Sequence, residues 1–370
     1  MQLLRISVDG FRNLNEVVVE PHPRLTVLVG DNGQGKTNLL EAIHLVSALR
    51  PLRSVERVAE LVGFGRERGE IHGRFELDGP LDVDVVVEAR GRKATVGGKA
   101  VRDVSTLAQR LGVVSFVPED STIIRGSPGD RRRGLDRFAF SLLPSFAGVS
   151  RRFEEALEQR NRLLKEPAID LAALDAFTPP YIDAAVALTR LRSASASRWA
   201  PVFAAESEAI ADGALGACLA YRSGIADDVI DDTVTAAWLQ GCLDERLRRG
   251  RDQELRRRVT LCGPQQDDLI IDKTGRAARF LASQGEARAL VLALKLACVR
   301  ILAEVRGQAP LLLLDDVAGE LDAFRARRLL DAVDEHGVQC FVTTTSVATL
   351  PPLGTALVVG LANGRLLTRL

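Results

Sequence analysis

The chain has 370 residues, long for one compact core and suited to two unequal lobes. Hydrophobic residues make up 46% and charged residues 26%, the balance of a soluble globular protein that buries a sizeable core. Lys plus Arg total 49 and Asp plus Glu total 49, so no overall positive field advertises nucleic acid, and any such binding has to come from local patches.

At the N-terminus Leu4, Ile6 and Val8 alternate as a strand, without a signal peptide's apolar block, and Asp9-Gly10 turns the chain. Val17–Val19 and Leu25–Val29 follow as further strands. The second feeds Gly30-Asp31-Asn32-Gly33-Gln34-Gly35-Lys36-Thr37, a G-x-x-x-x-G-K-T loop, after which Leu39, Leu40, Ile43 and Val46 recur at helical spacing. This is strand, phosphate loop, helix. Gly30, Gly33 and Gly35 allow positive φ and bare backbone N–H groups around a polyphosphate. Lys36 can reach the terminal phosphates, and the Thr37 hydroxyl can ligate Mg²⁺. The stretch predicts binding of ATP or GTP.

Two alternating runs within residues 71–89 flank Asp78-Gly79-Pro80 and predict a β-hairpin, and Gly97-Gly98 marks another turn. Residues 113–117 form a short buried strand ending at Pro118-Glu119-Asp120. From Pro128 to about Arg248 the chain is rich in Ala, Leu, Arg and Glu with few strand signals, a helical lobe inserted into an α/β lobe. Gly263-Pro264 breaks it before residues 269–271 resume strand character. Cys218, Cys242, Cys262, Cys298 and Cys340 are odd in number, scattered and never in C-x-x-C, which argues against a disulfide framework or a zinc site and for reduced core thiols of a cytoplasmic protein. The longest apolar-rich stretch, residues 289–305, is interrupted by Lys295 and Arg300 and is too short to span a membrane.

Leu311–Leu314 is a buried strand leading into Asp315-Asp316, with Glu320-Leu321-Asp322 beyond. In a phosphate-loop ATPase the first carboxylate after such a strand holds Mg²⁺ and a second polarises the attacking water, which assigns Asp315 and Asp316 those roles. Ser283-Gln284-Gly285-Glu286 opens a long apolar helix. Locally it is an S-x-x-E capping box; together with the acidic strand it is a helix N-terminus able to receive another subunit's γ-phosphate. Phosphate loop, distant S-x-G-E helix, then acidic strand is the layout of ABC-type ATPase heads.

With these motifs in place the sequence resembles the RecF family, the small ABC-type ATPases of bacterial recombinational repair, nearly end to end. Phe11-Arg12-Asn13 looks like the family's F-R-N, and Gly30 to Thr37 its G-x-N-G-x-G-K-T. Pro118-Glu119-Asp120, Gly126-Ser127-Pro128 and Arg131-Arg132-Arg133 are similar to its P-E-D, G-S-P and R-R-R series, and Gln159-Arg160-Asn161 with Leu163-Leu164-Lys165 to a further helix. Ser283-Gln284-Gly285 and Leu313-Leu314-Asp315-Asp316 complete the set. Gln265-Gln266 stand where the family has His-Arg, and Ser346 where an acidic residue is commoner.

The resemblance implies an α/β fold: a P-loop NTPase, ABC-ATPase head-like lobe with a mixed sheet, plus an inserted mainly helical lobe. The expected divisions are residues 1–117 for the first part of the ATP lobe, 118–288 for the helical lobe ending in the signature, and 289–370 for the rest. It implies ATP and Mg²⁺ as cofactors and a head-to-tail homodimer with ATP between Gly30 to Thr37 of one chain and Ser283 and Gly285 of the other. Arg12 and Asp322 join the nucleotide set, Glu119 and Asp120 stand near where superfamily members carry a water-positioning glutamine, and Glu119, Lys36 and Asp316 make up the implied catalytic set. Because Asp316 is shorter than the glutamate usual there, ATP turnover is expected to be slow, with hydrolysis acting as a switch. DNA is the implied partner, held through Arg131, Arg132, Arg133, Arg151 and Arg152 and the arginine run between 246 and 258, with duplex backbone favoured over extended single strand because there are only two Tyr and two Trp. RecR, and indirectly RecO and RecA, are implied partners at single-strand gaps; no membrane is. Against this stand an SMC-type head, which needs a long coiled coil that the inserted lobe lacks, and a transporter subunit, which lacks the P-E-D to R-R-R run. A RecF-like paralogue with another DNA transaction, such as defence, stays open.

Overall fold

The structure, a computed structural model, describes residues 1–53, 55–101, 107, 110–211, 215–316 and 322–367. The chain divides into two compact units. The first comprises Met1–Asp120, Ala209–Gly213 and Gln284–Leu370, and the second Ser121–Glu208 and Ala214–Ser283.

The first unit carries two six-stranded sheets. One is antiparallel, in the order β2 (Val17–Val19), β1 (Gln2–Asp9), β4 (Arg68–Glu76), β5 (Pro80–Glu88), β6 (Gly91–Val96), β7 (Lys99–Ala100). Two of its hairpins turn at Asp78-Gly79 and Gly97-Gly98, where the sequence marks them; both glycines of the second pair have positive φ, as a tight two-residue turn requires. In β1 a register shift between Leu3 and Arg5 changes the phase expected from Leu4, Ile6 and Val8. Leu3 joins Ile6 and Val8 inside, and Leu4 faces out.

The other sheet runs β16 (Arg365–Leu366), β15 (Leu357–Ala362), β3 (Leu25–Val29), β14 (Cys340–Thr344), β13 (Leu311–Leu314), β8 (Val113–Phe116). All its pairings are parallel except the β15–β16 hairpin. Strands β13 and β14 are buried at every position, which is why they read as unbroken apolar or β-branched runs. Helix α1 (Lys36–Ala48) belongs to one continuous core drawn from both sheets, with Leu39, Leu40, Ile43 and Val46 all at 1% exposure or less. Helices α8 (Gln284–Arg306) and α9 (Ala323–Glu335) also belong to this unit.

The second unit holds helices α2 (Thr122–Arg125), α3 (Pro128–Leu142), α4 (Phe146–Lys165), α6 (Ala236–Arg257) and α7 (Ala278–Leu281), and most of α5 (Leu171–Ala211). It is not as helical as the composition suggests. A four-stranded antiparallel sheet runs β10 (Asp228–Ile230), β9 (Ala217–Ser223), β11 (Asp268–Lys273), β12 (Arg276–Ala277). Strand β9 falls inside the stretch read as helical; its alternating burial, with Ala217, Leu219, Tyr221 and Ser223 inside, is a period of two that the Ala- and Arg-rich surroundings mask. The same alternation turns Cys218 outward, and Cys242 is half-buried, so only Cys262, Cys298 and Cys340 are core thiols; none of the five is in a disulfide.

Candidate functional site

The loop between β3 and α1 is built around backbone groups. Gly35 caps α1 at φ 107°, with no side chain capping the helix and no acidic residue in its first turn, so its N-terminus carries the partial positive charge suited to an anion. Gly33, at φ 80°, is exposed, and an added Cβ meets nothing within 4 Å. Gly30 has the opposite constraint: a Cβ there falls 2.3 Å from the Leu361 carbonyl oxygen. Asp31 and Asn32 are exposed, whereas Lys36 is buried, its Nζ donating to the carbonyls of Gly30 at 2.6 Å and Asp31 at 2.8 Å. An ammonium folded back on its own loop is held at the loop's mouth by two carbonyls instead of a counterion.

The acidic strand meets this loop directly. Thr37 Oγ1 donates to Asp315 Oδ1 at 2.7 Å, joining residues 278 apart in sequence. Thr343 Oγ1 donates to the same oxygen at 2.9 Å, and Arg53 Nη2 to Asp315 Oδ2 at 2.8 Å. Asp315 is 2% exposed. The next residue behaves differently. Asp316 is exposed at φ 53°, a left-handed conformation in which Asp is among the commoner non-glycine residues, and its N–H donates to Thr343 Oγ1 at 2.8 Å. The two adjacent carboxylates therefore diverge, one into the loop and one toward solvent.

Other expected residues take varied places. Arg12 is tied to α1 by a two-pronged pair with Glu41 at 2.9 and 3.1 Å, so it anchors the β1–β2 connection, while its neighbour Asn13 touches the phosphate loop, donating to the Gly33 carbonyl at 3.0 Å and accepting from Asn38. Gln34 accepts from the Asn363 N–H through its side chain and from the Gly364 N–H through its carbonyl. Glu119 is exposed and lies 3.7 Å from Arg53 Nε, whereas Asp120 is buried in an ion pair with Lys295 at 2.8 Å. Ser283 is exposed; Gly285 lies in the first turn of α8, with Arg325 Nη1 3.5 Å from where its Cβ would be. Arg325 also pairs with Asp322, the N-cap of α9, which brings the signature glycine and Asp322 to one cation. Glu320 and Leu321 lie outside the described residues. Arg53, Asn13 as a loop contact and the Asn363-Gly364 turn carry no nucleotide motif, but Asn-Gly between apolar residues is a readable hairpin signal.

The arginines expected on DNA do not form one exposed set. Arg131 is an interior residue, 4% exposed, with both prongs on Asp268 at 2.7 and 2.8 Å; its reading as a DNA contact is corrected, because a guanidinium locked to a carboxylate inside the fold cannot reach a phosphate. Arg132 is half-buried and donates to the Asp267 carbonyl at 2.7 Å, and burial, with Arg192 nearby, holds its guanidinium below the ordinary arginine range. Arg133, Arg151 and Arg152 are exposed, the first two beside Asp130 and Glu155. In α6, Arg246 donates to the Gly224 and Ile225 carbonyls, and Arg248, Arg249 and Arg251 pair with Asp244, Glu245 and Asp175, which leaves Arg256 and Arg257 as exposed cations at its end. Gln265, in place of the family histidine, is used locally: it donates to the Cys262 carbonyl at 3.0 Å and accepts from the Tyr181 hydroxyl at 3.2 Å. Among the described residues no helix is long and apolar enough to cross a membrane.

Comparison with known proteins agrees with this geometry. The family profile described as RecF/RecN/SMC N terminal domain matches residues 2–359. The DNA replication and repair protein RecF of Anaeromyxobacter sp. (strain K) is 41% identical over 358 residues, covering 95% of this chain and 94% of that protein. The chain belongs to the RecF family. The RecF of Myxococcus xanthus (strain DK1622) is 38% identical over 351 residues, 93% of this chain and 91% of its own. Among solved structures, the recombination mediator protein RecF-ATPrS in the RecFOR pathway superposes with a TM-score of 0.88 at 27% identity, over 99% of this chain and 97% of that one. An SMC head bound to the C-winged helix domain of ScpA matches at 0.57 with 16% identity, a likeness of fold. The RecF-family fold is thus that of an ABC-ATPase head with a mixed sheet.

Proposed function

We propose that this chain is an ATP-gated DNA-binding protein of recombinational repair and replication restart, in which nucleotide closes a homodimer and slow hydrolysis releases it. The observation that carries the reading is the 2.7 Å contact between Thr37 and Asp315, which unites the phosphate loop with the acidic strand. A hydroxyl and a carboxylate at that separation are oxygen donors suited to a hard cation, and among the described residues no group of three His, Cys, Asp or Glu could hold a metal without further ligands. Thr37 and Asp315 would hold Mg²⁺, with nucleotide oxygens completing the set. The metal supplies charge neutralisation at the β- and γ-phosphates. Support for ATP itself comes from the solved RecF-ATP structure, 27% identical with a TM-score of 0.87.

This chain's own residues take the following parts. The α1 N–H groups and Gly33 cradle phosphate, and Lys36 turns from its loop carbonyls to the terminal phosphates. Asp316, facing solvent, holds the attacking water's proton, with Glu119 as the second carboxylate of the site. Ser283 and Gly285 of a second copy meet the γ-phosphate from the far side, Asp322 beside them. Arg12 acts through Glu41 and the loop that carries Asn13. DNA is held by Arg133, Arg151 and Arg152 through phosphates, with Arg132 at the margin. Of the two Tyr and two Trp, Tyr181, Tyr221 and Trp199 are buried and Trp238 is exposed, and one exposed Trp supports duplex backbone over stacked single strand as the surface read. Family resemblance extends the partners to RecR, and through it RecO and RecA, and the setting to the cytoplasm.

The test is DNA binding with and without ATP on gapped, duplex and single-stranded substrates. Duplex-containing substrates are expected to bind more tightly with ATP and less tightly as salt rises. An ATP-insensitive signal on every substrate counts against the gate.

A further inference from the structure

Asp315 has two carboxylate oxygens and both are engaged. Oδ1 accepts from Thr37 and Thr343, and Oδ2 accepts from Arg53 Nη2 at 2.8 Å. Arg53 lies beyond α1 in a segment that no nucleotide motif covers. Its side chain is 37% exposed at one end of the pair while that of Asp315 is 3% exposed at the other, so a solvent-accessible cation is plugged into a buried anion. Its Nε is buried with no hydrogen-bond partner and lies 3.7 Å from Glu119 Oε1, past hydrogen-bond length. The guanidinium is therefore pulled between two carboxylates and satisfied fully by neither.

We propose that Arg53 gates the metal position: its guanidinium and a divalent cation compete for Asp315 Oδ2, and Glu119 is the carboxylate that takes Arg53 when the metal prevails. This rests on the nucleotide-site reading above and adds a regulatory step to it. Two like charges cannot share one oxygen at hydrogen-bond distance without strong repulsion, so occupation by metal requires Arg53 to withdraw. Withdrawal is cheap on the Arg53 side, because its Nε gains the Glu119 bond it lacks at 3.7 Å. The outcome is a site in which metal, nucleotide and a carboxylate near the attacking water are linked through one side chain.

The experiment is a titration of the full chain with Mg²⁺ at fixed fluorescent ATP, with a parallel ATP titration in chelator. Arg53→Gln removes the competing cation, and the half-saturating Mg²⁺ should fall roughly twofold to fivefold, the scale of one part-exposed ion pair, with metal-free ATP affinity unchanged. Glu119→Gln, at an exposed position that tolerates the change, removes the alternative berth and should raise the half-saturating Mg²⁺; it carries the test if Arg53→Gln does not fold. Unchanged Mg²⁺ requirements in both variants overturn the proposal. So does an equal loss of affinity in chelator for Arg53→Gln, which would place Arg53 on phosphate. A parental protein that binds no ATP with or without Mg²⁺ overturns the nucleotide reading instead, so the two failures are distinguishable.

Discussion

Lys36, Asp315 and Asp316 are single residues whose differing surroundings give each proposed role its own test. Lys36 holds two loop carbonyls at 2.6 and 2.8 Å, contacts that Met cannot replace while still filling the same volume in α1. Lys36→Met is expected to keep the fold by circular dichroism and to lose ATP affinity by at least about tenfold, since a charge-assisted bond to phosphate is worth more than about 1.4 kcal/mol. Parental ATP affinity in the folded variant would sink the assignment. Asp315→Asn sets an amide against two hydroxyl donors and a guanidinium and should abolish the Mg²⁺ dependence of nucleotide binding. Asp316→Asn, at an exposed position, should leave binding intact and slow hydrolysis at least about tenfold, so that complexes on DNA outlive those of the parent. Hydrolysis at the parental rate by Asp316→Asn shifts the water-polarising role to Glu119.

At the scale of elements, the phosphate loop is buttressed by a hairpin from the other end of the chain. The β15–β16 turn, Asn363-Gly364, has φ of 50° and 71° and donates both its N–H groups to Gln34, at 2.6 and 3.1 Å. The Gly364 carbonyl accepts from Asn15, and a Cβ at Gly364 would fall 1.8 Å from the Asn13 carbonyl oxygen. Asn13 in turn holds Gly33. Gly364→Ala is therefore expected to destabilise the protein by roughly 2–4 kcal/mol, through strain at a positive φ and displacement of the β1–β2 connection, and to weaken ATP binding together with stability. Urea unfolding and nucleotide titration measure the two effects. Lost stability with ATP affinity fully retained would show that the hairpin supports the sheet and not the loop.

For the whole molecule the question is closure. Ser283 is exposed immediately before α8. Ser283→Arg should leave nucleotide binding by the single chain within about twofold, as expected of a surface change, and block ATP-induced dimerisation sterically. Light scattering with ATP reads the second effect, and a titration of labelled nucleotide the first. A folded variant that still dimerises with ATP rules out Ser283 at the interface, and loss of nucleotide binding points to a role within one chain.

Local pattern was enough for what depends on a few adjacent residues. The phosphate loop is legible because its glycines, Lys36 and Thr37 act through backbone geometry set within eight positions, and β3, β13 and the β4–β5 hairpin because burial on two faces or one leaves an unbroken or an alternating apolar run. RecF-family membership was legible for the same reason, as a series of short motifs in order. The tertiary structure decided everything that rests on partners distant in sequence. It put Arg53 on Asp315 and took Arg131 off the surface, since whether an arginine is a solvated cation or an internal strut depends on a carboxylate 137 positions away, as with Asp268. It moved Leu4 outward through one β-bulge, found β9 within an apparently helical stretch, and brought Asn363-Gly364 onto Gln34 across 329 positions. Side-chain charge and periodicity are properties of the chain, but what they face is fixed only when the sheets close and the buried polar groups find their partners.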